Sequence, residues 1–161
     1  MVNILFVCSG NICRSPLAQG VFESVVRREG LDGEIHVDSA GTHAFYHEDE
    51  PPDPRARESA SARGLDISGQ RSRMVEPEDC INFEYILVAD EGHLQTLRRL
   101  CGGDPSKVRL FLDYAPHLSE REIPDPYYGD SDGFEHAMDL IEEASEGLLV
   151  DIRGQHLGRR V

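Results

Sequence analysis

The segment VNILFVCSGNICRSP, residues 2–16, constrains the fold more than any other part of the chain. Val2 to Val7 read as a buried strand, because the run is apolar at successive positions and so on both faces. Ser15–Pro16 read as a helix start, since proline's fixed φ and missing N–H suit the first helical position. That helix is predicted to run to Arg28 and to stop at Gly30. A strand leading through a short turn into a helix is half of a βαβ unit, and the rest of the chain repeats the alternation. Ile35–Ser39, Tyr85–Ala89 and Val108–Leu112 read as further strands. Asp53–Pro54 opens a helix that reaches about Arg63 before Gly64, and another lies near His93–Leu100. Residues 40–52 and 113–130 read as loops, the second long and proline-containing. After an Asp130–Ser131 cap, Phe134, Met138, Ile141, Ser145, Leu148, Leu149 and Ile152 form the core stripe of a last helix. The pattern predicts an α/β fold with a parallel sheet, and residues 1–161 are expected to form a single domain without repeats or linkers.

Charge and hydropathy remove several function classes. Thirty acidic residues oppose 16 basic ones, a formal net charge of −14, which disfavours nucleic acid and anionic lipid as partners. No apolar run approaches the roughly 20 residues needed to span a bilayer, so no membrane insertion is expected. MVNILFVCSG lacks the basic start and small-residue cleavage site of a signal peptide, and a cytoplasmic location is expected. The cysteines are Cys8, Cys13, Cys80 and Cys101. A chain with this much core needs no staples, so all are expected to be reduced, with Cys80 and Cys101 as packing residues. No C-x-x-C pair occurs, and His43 and His47 sit in a loop. Neither a metal nor any other cofactor is expected.

An anion captured by so acidic a protein needs a local device, and Cys8-Ser9-Gly10-Asn11-Ile12-Cys13-Arg14-Ser15 has the parts of one. The C-terminal end of a strand meets the N-terminus of a helix, the edge where open α/β sheets bind ligands. Backbone N–H groups and the helix dipole favour an anion there. Gly10 and Asn11 tolerate the positive φ that lets successive N–H groups converge. Arg14 adds a planar fork matched to two phosphate oxygens. The same field favours a thiolate at Cys8, and Ser15 is placed to hydrogen-bond the sulfur.

With those residues in view, the chain resembles the low-molecular-weight protein tyrosine phosphatases. The matching segments are VCSGNICRSP at 7–16, DSAGT at 38–42, PPDPRA at 51–56, GLDISGQRSR at 64–73, FEYILVADEGHL at 83–94 and IPDPYYGD at 123–130. The resemblance implies a four-stranded parallel sheet flanked by helices, with the phosphate-binding loop between the first strand and first helix. It implies hydrolysis of phosphotyrosine in a protein substrate through a cysteinyl-phosphate, with Cys8 as nucleophile, Arg14 binding phosphate and Asp125 as general acid and base. Ser9, Gly10, Asn11, Ile12, Cys13 and Ser15 would form the rest of the phosphate site. Tyr46, Tyr127 and Tyr128 would wall the substrate ring, and Tyr127 and Tyr128 match positions that include phosphorylation targets. Cys13 matches a thiol that pairs reversibly with the nucleophile. Ser39 and Asp90 match positions that buttress the loop. Bacterial relatives often oppose tyrosine kinases, which makes such a kinase a candidate partner. Two departures stand out: Gln70 where many relatives have histidine, and Ser9 where a larger residue is common beside the nucleophile.

Neighbouring chemistries use the same loop. Arsenate reductases of this fold need two closely spaced thiols near residue 80, and Cys80 has no close partner in sequence. Protein-arginine phosphatases typically carry threonine where this chain has Ile12, whose bulk suits a phenyl ring better than a guanidinium. A module that only binds phosphotyrosine would have a broken catalytic set, and Cys8, Arg14 and Asp125 are all present.

Overall fold

Every residue of β1 (Val2–Cys8) except Asn3 is buried, as a strand covered on both faces must be. The computed structural model describes residues 1–102, 105–128 and 131–158, without the side chains of 105, 128 and 131. In chain order, β1 leads to α1 (Arg14–Arg28), β2 (Ile35–Gly41), α2 (Pro54–Ala62), α3 (Asp79–Asn82) and β3 (Tyr85–Val88). These are followed by α4 (Glu91–Cys101), β4 (Val108–Leu110) and α5 (Ser131–Gln155). The four strands form one sheet in the order β2-β1-β3-β4, with every neighbouring pair parallel.

Strand side chains alternate between faces, and β1 divides the core accordingly. Ile4, Phe6 and Cys8 face a cluster containing Leu17 and Phe22 of α1 and Met138 and Ile141 of α5. Leu5 and Val7 face the opposite cluster, with Leu94 and Leu97 of α4. The α5 stripe is buried as its spacing predicts, Ser145 included. Asp53 accepts the Arg55 N–H at 2.8 Å and caps α2, and Gly64 follows that helix at φ 80°. Asp130, expected to cap α5, lies outside the described residues.

Three expectations need correction. The last strand ends at Leu110 rather than Leu112, and Phe111–Tyr114 turns as a 3-10 helix beneath α5. Gly147 of α5 lies against the Tyr114 carbonyl, where a Cβ has no room. The loop 113–130 is also less irregular than expected, since Pro126–Tyr128 form another 3-10 turn. Finally, Cys80 and Cys101 are joined as a disulfide across 21 positions, with Cα atoms 5.4 Å apart. The short helix α3, absent from the sequence reading, lies beside the end of α4 and brings the two thiols together. Cys8 and Cys13 are free.

Candidate active site

Cys8 ends β1, Arg14 begins α1, and the five residues between them form a tight loop. Asn11 takes the left-handed conformation at φ 58°, but Gly10 does not, contrary to expectation. A Cβ at position 10 would stand 3.1 Å from His47 Cδ2, so the His47 ring would have to give by a few tenths of an ångström. Gly41, at the end of β2, lets the loop lie on the strand, since a Cβ would meet the Ser9 carbonyl oxygen at 2.5 Å and the Asn11 nitrogen at 3.0 Å.

Asn11 locks the loop from behind. Its Nδ2 donates to Ser15 Oγ at 2.8 Å and Ser39 Oγ at 2.9 Å, while Oδ1 accepts the Arg73 N–H at 3.0 Å. Ser39 passes its own proton to Gln19 Oε1 at 2.7 Å. Ser72 Oγ holds the Gly10 carbonyl at 3.0 Å. Ser15 Oγ accepts from Asn11, so its one proton is left to donate, and Cys8 Sγ lies 3.0 Å away. The Ala40 carbonyl is the more distant acceptor at 3.5 Å.

Arg14 is only 4% exposed. Its Nη1 donates to Asp90 Oδ2 at 3.0 Å and the Ile123 carbonyl at 2.9 Å, which fixes the plane of the fork. Nη2 stands 3.6 Å from Asp125 Oδ2. Burial pushes the Asp90 carboxyl up, but His93 and Arg14 outweigh it and hold it below the usual carboxylate range. Asp125 Oδ1 accepts the Tyr127 N–H at 3.0 Å, so the carboxylate is held by its own turn. Burial, reinforced by Asp53 and Cys8, pushes the Cys13 thiol up. Cys13 is therefore a protonated thiol in this state.

Cys8, Ser9, Gly10, Ile12, Cys13, Arg14, Tyr46, Asp125 and Tyr127 line one open cleft of about 270 Å³. Asn11 and Ser15 stand behind it, each 2% exposed, and Ser39 behind them. The Tyr128 side chain lies outside the described residues. Tyr46 is exposed at the rim and packs at a tilt against Phe45, with ring centroids 4.2 Å apart. The Arg55 guanidinium lies 5.3 Å from the Tyr127 ring centroid and 5.1 Å from that of Phe134. Gln70 Nε2 donates to the Pro16 carbonyl at 3.0 Å and steadies the first turn of α1.

Four contributors escaped the sequence reading in this role. His43 and His47, which the sequence marks only as loop residues, line the cleft. Among the described residues, no three His, Cys, Asp or Glu side chains are grouped to hold a metal ion. Arg73 links Asn11 to two carboxylates, donating to Asp38 Oδ2 at 3.0 Å and Asp79 Oδ2 at 3.0 Å. His93 sits behind Ser9. Arg73 lies in a matched segment, but its backbone N–H makes the key bond, so side-chain type carries no trace of it.

This fold, with a cysteine and an arginine in one cage opposite a carboxylate, is that of a phosphatase. The chain belongs to the low molecular weight phosphotyrosine protein phosphatase family, whose model matches residues 3–160. It is 40% identical to a low molecular weight protein-tyrosine-phosphatase of Streptomyces coelicolor, with 97% of this chain and 96% of that one covered. The structure of YfkJ from Bacillus subtilis matches with a TM-score of 0.92 at 35% identity, covering 97% of each chain. YwlE arginine phosphatase, in a variant with a phosphorylated active-site serine, matches with a TM-score of 0.86 at 26% identity over 97% of this chain and 99% of that one.

Proposed function

We propose that this enzyme hydrolyses phosphotyrosine in proteins, with Cys8 as nucleophile, Arg14 as phosphate ligand and Asp125 as general acid and base. The observation that carries this reading is the convergence of these three side chains on one cleft, with Ser15 Oγ 3.0 Å behind the Cys8 sulfur. The loop N–H groups and Arg14 bind the phosphate dianion and align phosphorus with the sulfur. The Cys8 thiolate attacks in line, the ester P–O bond breaks, and Asp125 gives its proton to the departing phenolate oxygen. Asp125 then takes a proton from water as that water attacks phosphorus. The S–P bond breaks, and the thiolate returns to the Ser15 hydroxyl.

Ile12 supports tyrosine over arginine, because its apolar side chain lines the cleft together with Tyr46 and Tyr127. A phenyl ring packs against such walls without loss, whereas a guanidinium would turn donors towards their apolar carbons. Cys8→Ser is expected to abolish hydrolysis of p-nitrophenyl phosphate, and phosphotyrosine peptides should be cleaved faster than phosphoarginine peptides. Full activity in Cys8→Ser would sink the mechanism, and the reverse peptide preference would sink the substrate.

Residues 1–161 are read as one domain acting in the cytoplasm, with a tyrosine kinase as its counterpart. The cytoplasmic reading has one feature against it, the Cys80–Cys101 disulfide, a bond rare in that compartment. Cell fractionation decides it. Redox control is read at Cys8 and Cys13, five positions apart in the cleft. An oxidised Cys8 would be trapped as a disulfide by Cys13. Tyr127 and Tyr128 remain candidates for phosphorylation.

A further inference from the structure

One wall of the cleft carries a polar pair that the mechanism above leaves unused. Ser9 follows the nucleophile and lines the cleft, and its Oγ is 2.8 Å from Nε2 of His93. His93 lies in the first turn of α4 and is 5% exposed. Its backbone N–H donates to Asp90 Oδ1 at 3.1 Å. Its ring Nδ1 is also 3.1 Å from that oxygen, but out of line, and among the described residues it has no hydrogen-bond partner. The other oxygen of Asp90 holds Arg14. One carboxylate thus ties the phosphate ligand to the imidazole behind Ser9.

A neutral imidazole carries one ring proton, and its position decides what Ser9 offers the cleft. Burial pushes His93 down to about 4, against the pull of Asp90 and with help from Arg14 and His43, so the ring is neutral near pH 7. With the proton on Nδ1, beside Asp90, Nε2 accepts the Ser9 hydroxyl proton, and Ser9 turns only lone pairs outward. With the proton on Nε2, His93 donates to Ser9 Oγ, and the Ser9 proton is free to point at an anion. The carboxylate favours the first arrangement in an empty cleft, weakly because the contact is out of line. A phosphate dianion in the cleft favours the second, because lone pairs facing it are repelled and a donor is attracted.

We propose that Ser9 is a side-chain donor to the bound phosphoryl group and that His93 is its positioning residue, shifting its ring proton from Nδ1 to Nε2 as the anion enters. This rests on the reading of the cage as a phosphate site. No covalent bond to the ligand forms. One ring proton leaves to solvent and another arrives from it, so the charge of the wall is unchanged. In this family's terms the small residue at position 9 is a gain of a donor, not merely the loss of a wall.

The test uses the full chain with 15N-labelled histidine, at neutral pH, with and without saturating inorganic phosphate. The His93 signals are assigned by their loss in His93→Gln. The expected result is a protonated Nδ1 without phosphate and a protonated Nε2 with it. In parallel, Ser9→Ala is expected to weaken competitive inhibition by phosphate about tenfold, and Ser9→Thr, which keeps the hydroxyl, to restore it. A His93 tautomer indifferent to phosphate overturns the switch, even if Ser9→Ala binds weakly. Unchanged inhibition in Ser9→Ala overturns the donor. Phosphate that fails to inhibit the wild-type enzyme overturns the underlying phosphate site as well, which separates the two failures.

Discussion

The Asn11 side chain and the Arg73 backbone are joined by a 3.0 Å hydrogen bond that ties the anion loop to the segment after α2. Asn11 is 2% exposed and left-handed at φ 58°, so its three side-chain hydrogen bonds hold a conformation that most residues resist. Asn11→Ala removes all three and leaves buried partners unpaired. It should cost about 3 kcal/mol of stability and lower kcat at least tenfold. Thermal unfolding and p-nitrophenyl phosphate kinetics check both.

Ser15 acts later than Arg14 in the proposed cycle. Its hydroxyl donates to the Cys8 sulfur, so Ser15→Ala should slow departure of the thiolate from phosphocysteine more than its formation. Losing a hydrogen bond to a charged group corresponds to a decrease of about 10- to 100-fold in kcat. Rapid mixing should then show a burst of p-nitrophenolate equal to the enzyme concentration. A slow, linear onset would place the role of Ser15 elsewhere.

The Cys80–Cys101 bond is remote from this chemistry. Asp90, which caps α4, holds Arg14, whereas Cys101 ends the same helix about 16 Å away at 1.5 Å per residue. Replacing both cysteines by serine reopens the 21-position loop and should cost about 3 kcal/mol. That corresponds to a fall in Tm of roughly 6–12 °C. Activity at 25 °C should be unaffected, which steady-state kinetics on the Cys80→Ser, Cys101→Ser double variant will test.

His93 makes stability depend on pH. Its folded-state value of about 4 lies below the ordinary 6.5, because burial disfavours the charged ring. Between those values the unfolded chain holds a proton that the folded chain does not, so stability rises with pH. The contribution is fully present above about pH 6.5 and is lost as pH falls through about 4. Between about pH 7 and 5, wild type should lose roughly 2 kcal/mol more than His93→Gln. Urea unfolding of both proteins at the two pH values measures the difference; equal losses would contradict the assignment.

The legible part of the site is the part that is local in sequence. Cys8 through Ser15 lie on one strand-turn-helix, where apolar patterning and residue chemistry agree, although the helix begins at Arg14 and Pro16 stands third in it, not first as expected. Asp125 was identifiable only through the resemblance, since a carboxylate in a loop has no periodicity to mark it. His93 was hidden for a different reason. Its position near the start of α4 was foreseen, but its contact with Ser9 depends on β1 and β3 being adjacent, which brings the two strand ends together. The disulfide is not legible in the sequence because a separation of 21 positions says nothing about distance once α3 folds beside α4. Gly10 does not use its conformational freedom, and the approach of His47 to it depends on the path of a loop more than 30 residues away.

The alternation along β1 limits which natural variants of this chain can exist. Even-numbered side chains pack towards α1 and α5, and odd-numbered ones towards α4. Inserting or deleting one residue before Cys8 would exchange the two sets and carry the sulfur to the wrong side of the sheet. Length changes among descendants should therefore collect in segments such as 43–52, while the spacing from the strand's buried residues to the nucleophile stays invariant. Cys8 is inherited as part of a frame, not as a single letter.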